Sequence, residues 1–217
     1  IMHNTVKNLI YIEELIKSKA NHDKSAQIIA VSKTFPLENI LPLIAHGHLH
    51  YGENKVQEAL DKWSEIKLKT NSIKLHLIGK LQTNKVKFAL KIFDYIHSLD
   101  SEKLAIKISE EQIKQEKKPK IFIQVNIGNE DQKSGINKDN LVDFYKFCND
   151  LNLDIIGTMC IPPNDDNTEK HFSEMNRINQ KLNFKELSMG MSGDYLEAIK
   201  NNATYVRVGS KIFGSRA

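Results

Sequence analysis

A lysine that ends an apolar strand is the residue best placed to do chemistry in this chain. Residues 28–33 read Ile-Ile-Ala-Val-Ser-Lys, and Thr34, Phe35 and Pro36 follow. The β-branched run predicts a short strand, and Pro36 suits the first turn of a helix carrying Leu37, Ile40, Leu41 and Ile44. Lys33 therefore projects from the carboxyl end of a strand at a strand-to-helix corner, where α/β folds gather their chemistry. An ammonium partly desolvated there loses some of its preference for charge, and its amine can condense with a carbonyl. A solvated lysine would be the plainer reading if Lys33 stood alone in so lysine-rich a chain.

Lys33 has company. Only three of the 31 basic residues are arginine: Arg177, Arg207 and Arg216. An arginine on an apolar strand amid so many lysines suggests that a planar, permanently charged fork is needed there. Val206 and Val208 alternate with Arg207 and Gly209, which puts the arginine on the face of the glycine. An ion pair with Glu53, Asp100 or another acid inside the fold explains Arg207 equally well. Gly190-Met191-Ser192 and Gly209-Ser210 are small-residue corners after the last two strand signals. Backbone N–H groups at such corners bind phosphate, and barrels often place one there. Helix capping by Ser192 and Ser210 is the alternative.

His76 alternates with Ile78 and is placed to line a pocket. Alternation would also put His48 and His50 on one face of a strand. No carboxylate or cysteine cluster accompanies them, so structural roles are expected and no metal. Met159, Met189 and Met191 read as core or pocket wall. No Gly-x-Gly-x-x-Gly, Walker loop or nucleophile elbow occurs.

The elements that must position these residues alternate. Apolar runs predict strands at 28–33, 48–53, 74–79, 95–98, 121–126, 155–161, 186–190 and 204–209. Helical spacing occupies every gap, at 37–45, 55–67, 84–91, 102–116, 140–151, 168–182 and 195–202, and an amphipathic helix over 6–19 precedes the first strand. Eight strands with a helix in each gap predict a single (β/α)8 TIM-like barrel with an extra N-terminal helix, one domain over 1–217. An open doubly wound sheet is the alternative. Both place function at the carboxyl ends of the strands.

Composition narrows the class. The net charge of +4 is spread along the chain, and no basic run is interleaved with aromatics, which argues against nucleic acid. The lysines between Lys114 and Lys120 read as a solvated helix end before the strand that follows Pro119. Cys148 and Cys160 are too few for a disulfide scaffold and lack metal-ligand spacing, which suits a reducing cytoplasm. No signal peptide or long apolar run appears, so a cytoplasmic protein without a membrane partner is expected.

Taken in order, several stretches resemble the pyridoxal phosphate homeostasis protein family, whose barrel is like the N-terminal domain of alanine racemase. They are Ala30-Val-Ser-Lys-Thr34, Tyr51-Gly-Glu-Asn54 with Val56-Gln-Glu58, and His76-Leu-Ile-Gly79 with Leu81-Gln-Thr-Asn-Lys85. His97-Ser-Leu-Asp100, Gln124-Val-Asn126 and Lys133-Ser-Gly135 follow. Leu187-Ser-Met-Gly-Met-Ser192, Val206-Arg-Val-Gly-Ser210 and Ile212-Phe-Gly214 complete the set. The resemblance implies pyridoxal 5′-phosphate as cofactor, with Lys33 as its Schiff-base lysine and Arg207 against the pyridine nitrogen. It implies phosphate contacts from Ser192, Gly209 and Ser210, and places Asn54 and His76 in the pocket. Many members carry a second lysine where this chain has Phe35, and an acidic residue is usual at Gly193. These departures count against a transfer route through a second lysine and leave cofactor binding untouched.

The function this implies is buffering or delivery of the cofactor in intracellular vitamin B6 homeostasis, with apo-enzymes that require it as partners and no turnover of the protein's own. An arginine at the ring nitrogen donates a hydrogen bond but keeps its proton, which weakens the ring as an electron sink. Racemisation also needs acid/base groups on both faces of the substrate, and the homologous racemase draws one from a C-terminal domain that is not expected here. A monomer is expected, with a dimer as the alternative. The competing functions are a racemase or lyase completed by a dimer partner, and a Schiff-base aldolase without cofactor.

Overall fold

The computed structural model describes residues 1–20, 25–131 and 134–216, so Lys133 lies outside the described residues. Helix α1 (Asn4–Lys19) leads into β1 (Gln27–Val31), α2 (Leu37–His46), β2 (His50–Glu53), α3 (Val56–Lys69), β3 (Lys74–Leu77) and α4 (Val86–Ile92). Then come β4 (Tyr95–Leu99), α5 (Glu102–Gln115), β5 (Lys120–Gln124), α6 (Leu141–Asp150), β6 (Asp154–Met159), α7 (Thr168–Lys181), β7 (Glu186–Ser188), α8 (Tyr195–Lys200), β8 (Tyr205–Val208) and α9 (Ser210–Phe213). The strands close into one parallel barrel in chain order, the (β/α)8 architecture with an added N-terminal helix that the periodicity predicts.

Strands covered on both faces read as unbroken apolar runs, which is why they are legible. In β1 all of Ile28–Val31 is buried. Alternation divides that run. Ile28 and Ala30 join the core beneath the helices, whereas Ile29 packs inside the barrel with Tyr95, Phe122, Met159 and Tyr205. β8 closes the sheet on β1 in the register Ile29↔Arg207 and Ala30↔Val208.

Local chemistry sets the helix ends. Ser101 Oγ accepts the Leu104 N–H at 3.2 Å, a side-chain cap that starts α5 and its buried stripe of Leu104, Ala105 and Ile108. Gly47 ends α2 with φ +100°, and the N–H groups of Gly47 and His48 return to Ile44 and Leu43 carbonyls, both at 3.0 Å. That cap claims His48, so β2 begins at His50 and not at residue 48 as expected. His48 and His50 do not share a strand face: His48 lies edge-on to Tyr51, and His50 points into the barrel beside His76. Helix α9 and two short 3₁₀ turns, Thr83–Lys85 and Lys138–Asn140, add to the helices that the periodicity predicts, since three or four residues carry no readable period.

Helix α1 buries Leu9, Ile12 and Ile16 on the outside of the barrel, and Asn8 Nδ2 donates to the Ile212 carbonyl of α9 at 2.9 Å. Among the described residues no helix is long and apolar enough to cross a membrane.

The β5–β6 ladder skips Ile156, and Gly157 follows the irregularity. A Cβ on Gly157 would sit 1.8 Å from the Glu186 carbonyl oxygen, a backbone atom of β7 that cannot yield without parting the strands. Gly157→Ala should therefore destabilise the fold by at least about 2 kcal/mol in urea unfolding. Gly193→Ala, whose Cβ meets nothing within 4 Å, should stay within about 0.5 kcal/mol of the parent.

Candidate cofactor site

At the end of β1 the alternation continues into the corner. Ser32 turns outward, where its Oγ lies 3.2 Å from Glu53 Oε1, while Val31 and Lys33 face a cavity at the carboxyl end of the barrel. Thr34 then takes φ +67°, a left-handed backbone that a β-branched residue adopts only when its surroundings impose it. Helix α3 does so. Glu58 Oε2 accepts the Thr34 N–H at 2.8 Å, and Lys62 Nζ donates to the Ser32 carbonyl at 2.8 Å. Lys33 is thus gripped on both sides through its own backbone.

Lys62 also pairs with Glu58 at 3.2 Å and with the fully buried Glu53 at 2.8 Å. Trp63 Nε1 donates to the same Glu53 oxygen at 2.9 Å. Burial raises the Glu53 carboxyl above the ordinary range against the pull of Lys62 and Trp63. The Lys33 ammonium is pushed the other way. Burial, and then the Arg216 guanidinium, lower its pKa, while Glu58 opposes them. The amine is therefore released from its proton more readily than that of a surface lysine.

The cavity holds about 540 Å³, within the range of small-molecule sites, and its wall includes Lys33, Asn54, Ser192, Arg207, Gly209 and Ser210. Six of the seven residues singled out from the sequence thus meet around one space. Asn54 arrives because alternation past Glu53 turns it inward. The two glycine corners prove to be one structure, for Ser192 Oγ accepts the N–H of Gly209 at 3.3 Å and of Lys211 at 3.4 Å. Ser192 does not cap α8, whose cap position is Asp194. Gly190 has φ +99°, and a Cβ there would lie 2.6 Å from that of Ala198, so the turn needs glycine.

The seventh residue lies deeper. His76 is fully buried within the barrel, one layer below the cavity-lining Ile78, and its ring contacts His50 and His97. Alternation gives its face correctly but not its depth. Arg207 is also buried, yet it borders the cavity. Its Nη1 donates to Ser188 Oγ at 2.6 Å and its Nη2 to the Cys160 carbonyl at 3.0 Å. Neither Glu53 nor Asp100, the two acids expected by name, pairs with it, while the charge of Asp194 favours its ionised form. Glu53 faces α3 instead, and Asp100 accepts the Gly135 N–H.

Sequence reasoning assigned no role to Glu58, Lys62 or Arg216. The spacing of Glu58 and Lys62 marks a helix-face pair, but nothing in it points to the β1 corner. Phe35, two positions after Lys33, lines the cavity and stacks on Phe213 with ring centres 4.9 Å apart. At the opposite end of the barrel a separate cavity of about 390 Å³ is bordered by Lys67, Lys74, Lys120 and Asp94, and none of the predicted site residues reaches it.

Residues 12–217 match the family model described as alanine racemase, N-terminal domain. A pyridoxal phosphate homeostasis protein of Pasteurella multocida is 35% identical over 216 residues, covering 94% of this chain and 93% of its own. The structure of PipY of Synechococcus elongatus PCC7942 with PLP bound aligns with a TM-score of 0.86 and 32% identity, over 97% of this chain and 100% of that one. An alanine racemase of Clostridium difficile 630 aligns with a TM-score of 0.77 over 98% of this chain and 57% of its own; at 15% identity that likeness speaks to the fold alone. Similarity that runs almost end to end, on the same closed barrel, leads to one assignment: the chain belongs to the pyridoxal phosphate homeostasis protein family, built on the barrel of the alanine racemase N-terminal domain.

Proposed function

We propose that this chain binds pyridoxal 5′-phosphate in the cavity around Lys33 and holds and delivers it within the cell, with no turnover of its own. The observation that carries the reading is the convergence of Lys33, Arg207 and the joined Ser192, Gly209 and Ser210 corners on one cavity. When bound, this cofactor supplies an aldehyde for an amine, a ring nitrogen that accepts a hydrogen bond, and an anionic phosphate. The donors present fit all three.

Lys33, with its lowered pKa, is the amine that condenses with the aldehyde. Arg207 has five N–H donors, and the described bonds to Ser188 and Cys160 leave others for the cavity side. It donates to the ring nitrogen and keeps its own proton. The glycine corners and Ser192 receive the phosphate, and Asn54 offers its amide from the end of β2. PipY, 32% identical, has a structure with PLP bound, and curated relatives carry the name homeostasis protein, which supports the same reading here.

The composition of the wall supports a carrier over an enzyme. Among the described residues that border the cavity, only Lys33, Arg207 and Arg216 are ionisable, so no carboxylate, tyrosine or histidine stands ready to move a substrate proton. The partners are then apo-enzymes that need the cofactor, met by a one-domain monomer in the cytoplasm. Cys148 and Cys160 are buried free thiols whose pKa values burial pushes up to about 12, as suits a reducing compartment.

Borohydride reduction of the loaded protein followed by mass spectrometry should place the pyridoxyl group on Lys33. Its appearance on Lys80, Lys85 or Lys133 would overturn the assignment. For the absence of turnover, the measurement is deuterium exchange at Cα of alanine and other amino acids in heavy water, followed by NMR. Exchange should stay at the level given by free cofactor, and rapid exchange would favour a racemase or lyase. Glu58 raises the Lys33 pKa, so Glu58→Gln should lower it further and shift the pH profile of cofactor capture toward acid. Capture requires the neutral amine. At a pH below the Lys33 pKa the variant should therefore load faster, by stopped-flow absorbance, and an unchanged profile would detach Glu58 from Lys33.

A further inference from the structure

Beneath the cavity, polar side chains run through the barrel in single file. Arg207 Nη1 lies 2.6 Å from Ser188 Oγ, which lies 2.9 Å from His97 Nδ1. His97 Nε2 is 2.8 Å from His76 Nδ1, and His76 Nε2 is 2.9 Å from His50 Nδ1. Ser188, His97 and His76 are fully buried, and His50 is half-buried at the amino-terminal end. None of the three imidazoles borders the cofactor cavity. We propose that Ser188, His97, His76 and His50 form a hydrogen-bond chain of fixed polarity whose role is to hold the Arg207 guanidinium toward the cofactor by neutral acceptors alone. The proposal rests on the reading of Arg207 given above.

The direction of the chain follows from donor counting. A guanidinium can only donate, so Ser188 Oγ must accept from Arg207. The serine hydrogen then needs an acceptor, and His97 Nδ1 is the other partner that Ser188 has among the described residues. His97 accordingly carries its proton on Nε2 and gives it to His76 Nδ1. His76 in turn carries its proton on Nε2 and gives it to His50 Nδ1. The reverse order would leave a buried hydroxyl hydrogen with nothing to bond. Every N–H therefore points away from the cofactor, and every acceptor points toward the arginine.

Two consequences follow. Hydrogen bonds aligned in series polarise one another, which makes Ser188 Oγ a stronger acceptor for a buried cation than an isolated serine. A carboxylate in its place would cancel the charge of Arg207; a neutral chain orients the fork and leaves that charge to face the cavity. Burial keeps the imidazoles neutral, lowering His50 to about 4 and depressing His76 and His97 strongly. Stacking of His97 on Phe122 and of His76 on Tyr95, with ring centres 4.3 and 4.1 Å apart, fixes the ring planes.

The NMR measurements use cofactor-free protein, so they stand apart from whether pyridoxal phosphate binds. Two-bond proton–nitrogen NMR correlations near neutral pH should show His97, His76 and His50 as neutral rings protonated on Nε2. An Nδ1–H form of His97 or His76 in the wild type would overturn the proposal, whatever any variant does. Ser188→Ala should release the lock, so that His76, which residue 188 does not touch, shows both tautomers, and the Arg207 Nη signals should merge as the fork rotates freely. His50→Gln, whose amide oxygen can accept from His76, should keep the Nε2 form at His76 and His97. In Ser188→Ala pyridoxal phosphate should bind roughly tenfold more weakly, as for one lost hydrogen bond to a buried charge. Unchanged His76 tautomers and Arg207 signals in that variant would show that Ser188 is packing alone.

Discussion

The parallel pairing of β1 with β8 is the interaction on which the site depends. It sets Ile29 beside Arg207 and Ala30 beside Val208, and so carries Lys33 and the Gly209 corner to the same rim. Neither strand could hold its apolar residues without the other, because each is covered by helices on one side and by the barrel interior on the other. The two corners meet through Ser192, and helix α1 closes over the join by its bond to α9. Geometry made for burial thus places an amine, a guanidinium and two glycine corners together.

The cost of that arrangement is a cation and several imidazoles inside the barrel. A buried guanidinium would ordinarily be met by an acid. Here a serine and a main-chain carbonyl meet it, and the fully buried carboxylate of Glu53 turns outward to Lys62 and Trp63. Positive charge is thereby kept at the cavity, and the negative charge of Glu53 is used to anchor the helix that grips Lys33. The two sides of one strand serve two ends, because alternation sends Gly52 and Asn54 inward and Glu53 outward.

The strands and helices were legible in the sequence because their periods differ and the caps lie where apolar runs stop. Lys33, Arg207 and the glycine corners were legible because their types are rare or exposed at strand ends. Depth was not. Alternation tells which way His76 points but not whether it reaches the rim, and its level is set by the register of β3 against β2 and β4. The partner of Arg207 was hidden for another reason, since a carbonyl such as that of Cys160 leaves no mark in a sequence. Glu58 and Lys62 carry no such mark, because an acid and a base four residues apart usually belong to a solvated helix face, and only the fold brings the β1 corner against them.

The order in which a chain is made has a bearing on a rim built from its first and last strands. On the ribosome β1 emerges long before β8, and pairing across so much intervening chain is among the slower events of folding. Until it happens, Lys33 lies beside neither the arginine nor the glycine corners. A rim that needs all three is therefore complete only in the finished barrel and not in the nascent chain.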